Sequence, residues 1–228
     1  YLFNTSLGIS GSFKLFRQDT IYQTISPIIA LHLLYNGNNY VKVFYNYQST
    51  SIITTSGFGN LTKLPSFADV SNQYYGLGYS QAKLDNLLNP STGYSVMVEA
   101  SYGSKQIHKN SELNEALYDS IVLKTNQLKV TTELEYYQPI WRRFTFAVRN
   151  SSGILQNQNL FENELFRLGG VNNLRGFDDE SVYASSFTIF NFELRYLYAT
   201  DSHVFIFFDQ AYYERKLYNS EKINDTPY

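Results

Sequence analysis

One arginine in a long polar segment is the residue whose setting most clearly suggests specific chemistry. The segment reads LFRLGGVNNLRGFDDES from Leu165 to Ser181 and places Arg175 near its middle. Two acidic residues, Glu193 and Asp209, follow in strand-like stretches downstream. An arginine side chain stays charged and presents a planar fork of donors that can bind two carboxylates. The chemistry expected of this set is charged hydrogen bonding that holds a loop in place.

Strand periodicity predicts that the two acids point to the same side of a sheet. In residues 187–198, Glu193 alternates with apolar neighbours, and in residues 204–213, Asp209 and Phe207 alternate with Phe208. Successive side chains of a strand point to opposite faces. Parity therefore directs Glu193, Asp209 and Phe207 to the inner faces of adjacent strands, where the two acids would attract Arg175.

Similar alternation recurs along the chain and predicts an up-and-down antiparallel sheet. The other clear runs are 41–48, 75–80, 96–101, 128–137 and 143–149. Tight turns are expected at 36–39, 138–139 and 199–202, and long loops at about 50–72, 103–121 and 153–184. Short helical turns are expected at 112–118 and, from a weaker signal, at 69–73.

Composition limits the classes of partner. The 228 residues carry a formal net charge of −2, so no basic field favours nucleic acid. No apolar run approaches the roughly 18 residues of a membrane helix, which excludes a helical membrane protein. Cysteine is absent, which excludes disulfides and thiolate metal sites. The 21 tyrosines and 17 phenylalanines suit strands and membrane interfaces.

No other group of residues has the spacing of a catalytic or cofactor site. The histidines lie far apart, at positions 32, 108 and 203. Gly169-Gly170 lacks the lysine of a phosphate-binding loop. Residues 178–180 are three consecutive acids without the spacing of a calcium loop, which favours a solvated turn. We therefore expect no enzyme activity, no metal and no cofactor.

The character of the two strand faces separates two all-β architectures. A soluble β-sandwich remains an alternative, because its strands also alternate. Here, however, about ten residues alternate per strand, apolar faces end in Tyr or Phe, and the opposite faces carry Lys, Glu, Arg and Asn. Apolar outside and polar inside is the pattern of an antiparallel transmembrane β-barrel.

Four stretches resemble the C-terminal barrel of the Omp85 superfamily, of the BamA/TamA type. They are FRLGGVNNLRGFDDES with the following FNFELRYLY and VFIFFDQAYY, and LDNLLNPSTGYSVMVEASYG at residues 84–103. The resemblance implies a sixteen-stranded barrel whose sixth extracellular loop folds into the lumen. It assigns Leu174, Arg175, Gly176 and Phe177 to the loop motif. It makes Glu193 and Asp209 the lumenal partners of Arg175, with Phe207 beside them.

The same resemblance implies location in the outer membrane of a Gram-negative bacterium, and a role in inserting barrel proteins or translocating polypeptides. Its partners would be the lipid bilayer, client β-barrel or secreted polypeptides, and accessory lipoproteins. Residues 1–228 would form a partial barrel of nine or ten strands, without a POTRA domain. A dedicated two-partner-type secretion pore and a passive porin or receptor barrel are the alternatives. The Arg175 contacts would then serve only to stiffen the barrel in the most conservative interpretation.

Overall fold

Long antiparallel strands dominate the computed structural model of the chain, which describes residues 6–18, 21–36, 39–54, 64–171, 173–199, 202–218 and 223–225. The strands are β1 (Leu7–Gln18), β2 (Tyr22–Tyr35), β3 (Asn39–Ile52), β4 (Asp69–Leu84), β5 (Gly93–His108), β6 (Lys124–Trp141), β7 (Phe144–Gln156), β8 (Phe166–Leu168), β9 (Val182–Ala184), β10 (Ser186–Ala199), β11 (Ser202–Arg215) and β12 (Ile223–Asp225). Ten of them form one sheet in the order β1-β2-β3-β4-β5-β6-β7-β10-β11-β12, and β8 pairs with β9. The predicted all-β antiparallel fold is confirmed.

The two faces of the sheet differ as the alternation predicted. In β4, Tyr75 and Leu77 are 65% and 62% exposed, whereas Tyr74, on the opposite face of the strand, is 2% exposed. Glu193 and Asp209 lie on the inner face, because Glu193 pairs with Phe207 and Asn191 pairs with Asp209 across β10 and β11. A sandwich would bury the apolar face against a second sheet, and the described residues contain only the two-stranded β8–β9 sheet besides this one.

From β2 to β11, short and long connections alternate along the sheet. Short connections follow β2, β4, β6 and β10, whereas long connections follow β3, β5 and β7 at 53–68, 109–123 and 157–185. The predicted long loops were therefore too wide at most of their bounds, because the strands extend further than the alternation alone indicated. The predicted turns at 36–39 and 199–202 fall between strands, although residues 37–38 and 200–201 lie outside the described residues.

Two local predictions were wrong. Gln138-Pro139 is not a turn, because β6 continues to Trp141 and the chain reverses at Arg142, whose φ is 40°. Pro139 is accommodated next to a register shift near the strand end, which is where a sheet tolerates a missing N–H. Residues 69–73 are not helical but begin β4. The predicted turn at 112–118 contains a 3-10 helix, Glu115–Tyr118.

The segment that resembles the family at residues 84–103 forms a tight connection and the strand after it. The Asp85 carboxylate accepts hydrogen bonds from the backbone N–H groups of Ser91 at 2.9 Å and Thr92 at 3.1 Å. The Ser91 hydroxyl donates to the same carboxylate at 2.5 Å. One aspartate therefore organises the short connection between β4 and β5.

Two glycines leave part of the inner face of β4 without side chains. The Phe44 ring lies over Gly76, where an added Cβ would be 2.2 Å from a ring atom. The Lys42 side chain lies over Gly78 in the same way and reaches Glu99 of β5 at 2.5 Å. The register explains this contact, because Lys42 pairs with Gly78 and Gly78 pairs with Glu99. Charges two strands apart therefore meet directly.

No helix among the described residues is long and apolar enough to cross a membrane. The described residues of 157–185, a segment that we call the inward loop, lie against the inner face of the sheet. This loop contacts Tyr22 near one end of the strand order and Asp209 near the other. The sheet therefore curls around the loop.

Candidate functional site

The tip of the inward loop, which we define as residues 169–177, is built by two glycines and a buried leucine. Gly169 and Gly170 have φ angles of 119° and 90°, in the region that favours glycine. The Gly170 N–H donates to the Phe177 carbonyl at 3.0 Å, and the bridge between Gly170 and Leu174 closes the turn. The side chain of Leu174, 2% exposed, is thereby anchored in an apolar cluster with Leu168, Ala184, Ile189 and Ala211.

Arg175 projects from this turn onto the two acids that parity and the resemblance selected. Its Nε and Nη2 donate to Asp209 at 2.8 and 2.5 Å, and its Nη1 donates to Glu193 at 2.6 Å. The Arg175 backbone N–H also donates to Asp209 at 3.1 Å. The guanidinium stacks on Phe207, 3.9 Å from the ring centroid. Hydrogen bonds to Asp209 and Glu193 outweigh burial and raise the pKa of Arg175 above its ordinary value.

The other motif residues have distinct positions. Phe177 packs on the edge of the Leu174 cluster. Gly176 has a φ of 92°, but no atom lies within 4 Å of where a Cβ would be. Gly176 is therefore needed for its backbone conformation and not for space.

A second arginine, which sequence reasoning did not single out, extends the network along the wall. Arg195 donates to Glu193 at 2.7 Å and lies 5.1 Å from the Tyr137 ring centroid. The Tyr137 hydroxyl donates to Glu135 at 2.9 Å, and Arg149 donates to the same carboxylate at 2.9 Å. A chain of contacts thus runs from Arg175 across β10 and β7 to β6.

The root of the inward loop, which we define as residues 157–165, is held by a separate ion pair. Lys105 of β5 binds the Glu164 carboxylate and the Asn159 carbonyl, and the side chains of Lys105 and Glu164 are 0% and 1% exposed. Glu164 also accepts from the Phe161 backbone N–H at 3.1 Å. Phe161 packs in an apolar cluster with residues of all three long connections or their flanking strands, including Ala68, Val70, Ile107, Leu113 and Tyr118.

A third contact joins the middle of the loop to the first strands. Arg167 stacks on Phe16, 3.5 Å from the ring centroid, and donates to the Tyr22 hydroxyl at 2.8 Å. Its other partner is Glu180 at 3.1 Å. The contacts of Arg167 with the first two strands were not predicted, because Arg167 and Tyr22 lie 145 residues apart in the chain.

The described residues contain no group of three or more His, Cys, Asp or Glu side chains that could hold a metal ion. The acid-rich stretch 178–180 instead contributes Glu180 to Arg167. The Arg175 site fixes a loop inside a curved sheet through a bidentate charged contact.

Comparison with known proteins places this geometry in a family. A family model described as the Omp85 superfamily domain matches residues 4–224. The chain belongs to the Omp85 superfamily. The resemblance inferred from the loop motif and the acidic strands is thereby confirmed for nearly the whole chain.

Among solved structures, the chain is similar to BamA from Haemophilus ducreyi lacking POTRA domains 1–3. The TM-score is 0.63 at 13% sequence identity, and the match covers 90% of this chain and 46% of the BamA chain. At this identity the likeness establishes the fold. The Omp85 chain described here thus spans about half the length of that relative. No curated protein sequence matches it significantly.

Proposed function

We propose that this Omp85 chain forms part of an outer-membrane barrel that inserts other β-barrel proteins or translocates polypeptides in a Gram-negative bacterium. The observation that carries the proposal is the inward loop, whose Arg175 binds Glu193 and Asp209 on the inner wall. A loop held in this way occupies the lumen, so the protein is poorly suited to be a simple open pore.

The outer face supports a lipid bilayer as the first partner. Apolar side chains that are more than half exposed line the outward positions of several strands, including Ile29, Leu31, Leu33, Val43 and Leu77. The sheet's nine long strands have 12 to 18 residues, more than the roughly 9–11 that a tilted strand needs to cross a bilayer. We propose that strands outside this chain complete a barrel, which the family implies to have sixteen.

The proposed activity requires no covalent chemistry. A client polypeptide would pair with exposed strand edges by β-augmentation, with backbone hydrogen bonds supplying affinity. The Arg175 contacts would keep the barrel in a shape that permits this pairing. Client β-barrel or secreted polypeptides are the proposed partners, together with accessory lipoproteins, and neither a cofactor nor nucleic acid takes part.

Depletion of the full-length protein in its own cells, followed by quantitative proteomics of the outer membrane, tests the proposal. A joint fall of many barrel proteins supports an insertase, and loss of a single secreted or surface protein supports a dedicated translocase. An unchanged profile contradicts both and favours a porin or receptor barrel.

Complementation then tests the loop. Arg175→Ala should fail to restore the depleted proteins. Lys109→Ala should restore them, because the ion pair of Lys109 with Glu115 is exposed, at 3.5 Å. Both variants must first be shown to reach the outer membrane at normal levels. Full rescue by Arg175→Ala would show that the contacts only stiffen the barrel.

A further inference from the structure

A cavity of about 590 Å³ lies between the root of the inward loop and the inner wall, apart from the Arg175 site. Residues of β1, β2, β3, β5 and β6 line one side, and Asn163 to Arg167 with Glu180 line the other. The bare glycines of β4 help to form this space, because Phe44 and Lys42 lie flat over Gly76 and Gly78. Its size is within the range of pockets that bind small ligands, roughly 300–1,000 Å³.

The charges that line the cavity do not balance. Four cations line it, namely Lys14, Lys42, Lys129 and Arg167, against three carboxylates, namely Glu99, Glu164 and Glu180. Each carboxylate already has a cation: Lys42 binds Glu99 at 2.5 Å, Arg167 binds Glu180 at 3.1 Å, and Lys105 from outside the lining binds Glu164. In the part of the chain that the structure describes, no carboxylate forms a salt bridge with Lys14 or Lys129.

Lys129 is the better enclosed of the two remaining lysines. It is half-buried, it pairs with Ser101 across β5 and β6, and its ammonium lies 5.3 Å from the Phe166 ring centroid. The charge of Lys14 repels it, and Glu99, already bound to Lys42, attracts it. Low-dielectric walls concentrate the field of uncompensated charges in a cleft, which raises the local concentration of ions of opposite sign.

We propose that this cavity binds an anionic group, a carboxylate or a phosphate, between the ammonium groups of Lys14 and Lys129. Among the described residues, Glu164 Oε1 is a buried acceptor without a hydrogen-bond partner, and Glu164 lines the same cavity. A ligand that carries both an acid and a donor, as a polypeptide with acidic side chains does, satisfies both features. The source of the anion is either such a polypeptide in the lumen or a small soluble anion.

Calorimetric titration of the full-length protein, purified in detergent at low ionic strength, tests this site. The probes are inorganic phosphate, a hexaglutamate peptide and, as a neutral control, a hexaglutamine peptide. At least one anionic probe should bind. The double variant Lys14→Gln/Lys129→Gln should weaken binding by about tenfold or more, because it removes both of the cations that would hold the anion.

Matched variants separate loss of charge from loss of fold. Lys109→Gln removes a lysine outside the cavity and should leave the affinity unchanged, and Lys14→Arg/Lys129→Arg should retain most of it. Tighter binding of hexaglutamate than of phosphate identifies a polypeptide source, and the reverse order identifies a small anion. Absence of binding by both probes, equal binding of hexaglutamine, or undiminished binding in a folded double Gln variant overturns the proposal.

The site does not depend on client insertion or translocation. Binding is measured on purified protein, and Arg175→Ala should leave it intact because Arg175 does not line the cavity. Failure of the titration therefore leaves the proposed function standing, and an unchanged outer-membrane proteome leaves the anion site standing.

Discussion

The inward loop is held at its root and at its tip by ion pairs in different surroundings. At the root, Lys105 and Glu164 are 0% and 1% exposed and lie beside an apolar cluster. At the tip, the Arg175 and Glu193 side chains are 13% and 15% exposed, although Asp209, which Arg175 also binds, is 4% exposed. A buried pair cannot lose one partner without leaving an uncompensated charge, whereas a partly hydrated pair can exchange a partner for water.

The remaining partners sharpen this difference. Without Arg175, Glu193 would keep Arg195 at 2.7 Å, so part of the tip's charge stays compensated. Without Lys105, the Glu164 carboxylate would keep only the Phe161 N–H among its described hydrogen-bond donors. We infer that the root is a permanent attachment and that the tip is the part of the loop that can be released.

Loss of the root cation should produce the largest effect. Lys105→Met should lower the free energy of unfolding by about 3–5 kcal/mol, because it leaves a buried carboxylate unpaired. The measurement is urea unfolding of the full-length protein from lipid vesicles. Lys105→Met/Glu164→Gln should recover most of this loss, since a neutral amide still accepts from Phe161. A single variant as stable as wild type would show that water reaches the root.

Loss of the tip cation should cost less and act locally. Arg175→Ala should lower the free energy of unfolding by about 2–3 kcal/mol, toward the low end for truncation of a hydrogen-bonded charge pair. The chain has no cysteine, so spin labels can be placed at single engineered cysteines on a full-length background without others. A label at Val171 should become more mobile in Arg175→Ala, whereas a label at Gln158 in the root should not.

Equal mobilisation of both labels would contradict the division of the loop into two independently held parts. Arg175→Lys is the matched control for charge. It keeps the cation but lacks the fork that binds Asp209 and Glu193 together, so it should restore only part of the wild-type spectrum.

The glycines of the tip should show an intermediate effect. Gly169→Ala should destabilise by about 1–2 kcal/mol, because its φ is 119° and a Cβ would lie 2.1 Å from the Asp178 carbonyl oxygen. Gly176→Ala should cost less, since φ is also positive but the space is open. Thermal unfolding monitored by circular dichroism compares the two. A larger loss at Gly176 would mean that an unseen neighbour occupies that space.

The smallest expected change in the free energy of unfolding concerns Phe207, whose ring stacks against the Arg175 guanidinium. Phe207→Leu should cost about 0.5–1 kcal/mol, the usual range for a cation–π contact with partial exposure. A double-mutant cycle with Arg175→Ala measures the coupling directly. Coupling near zero would assign Phe207 to packing alone.

The strands and their two faces were predictable because successive side chains of a strand point to opposite faces, so the pattern is visible in the local sequence. The same rule predicted that Glu193, Asp209 and Phe207 share the inner face, and the loop motif singled out Arg175. Alternation does not show where each strand ends along the inner wall. Strand ends were misjudged at Pro139, where a register shift lets the ladder continue past a proline.

The root attachment was missed for a physical reason. Lys105 and Glu164 lie 59 residues apart, one in a strand and one in a loop. Nothing in the period of either segment marks them as partners, because their contact depends on how far the loop folds inward. Arg195 lies two residues beyond Glu193 on the same strand, but its role beside Glu193 follows only from side-chain geometry.

The contact between Lys42 and Glu99 over Gly78 has an evolutionary consequence. Residues 42, 78 and 99 should evolve together, because a larger residue at position 78 would displace the Lys42 side chain that reaches across it to Glu99. Among descendants of this gene, residues 42 and 99 should covary in charge only in lineages that retain glycine at 78. Where that glycine is lost, the two positions are free to drift apart.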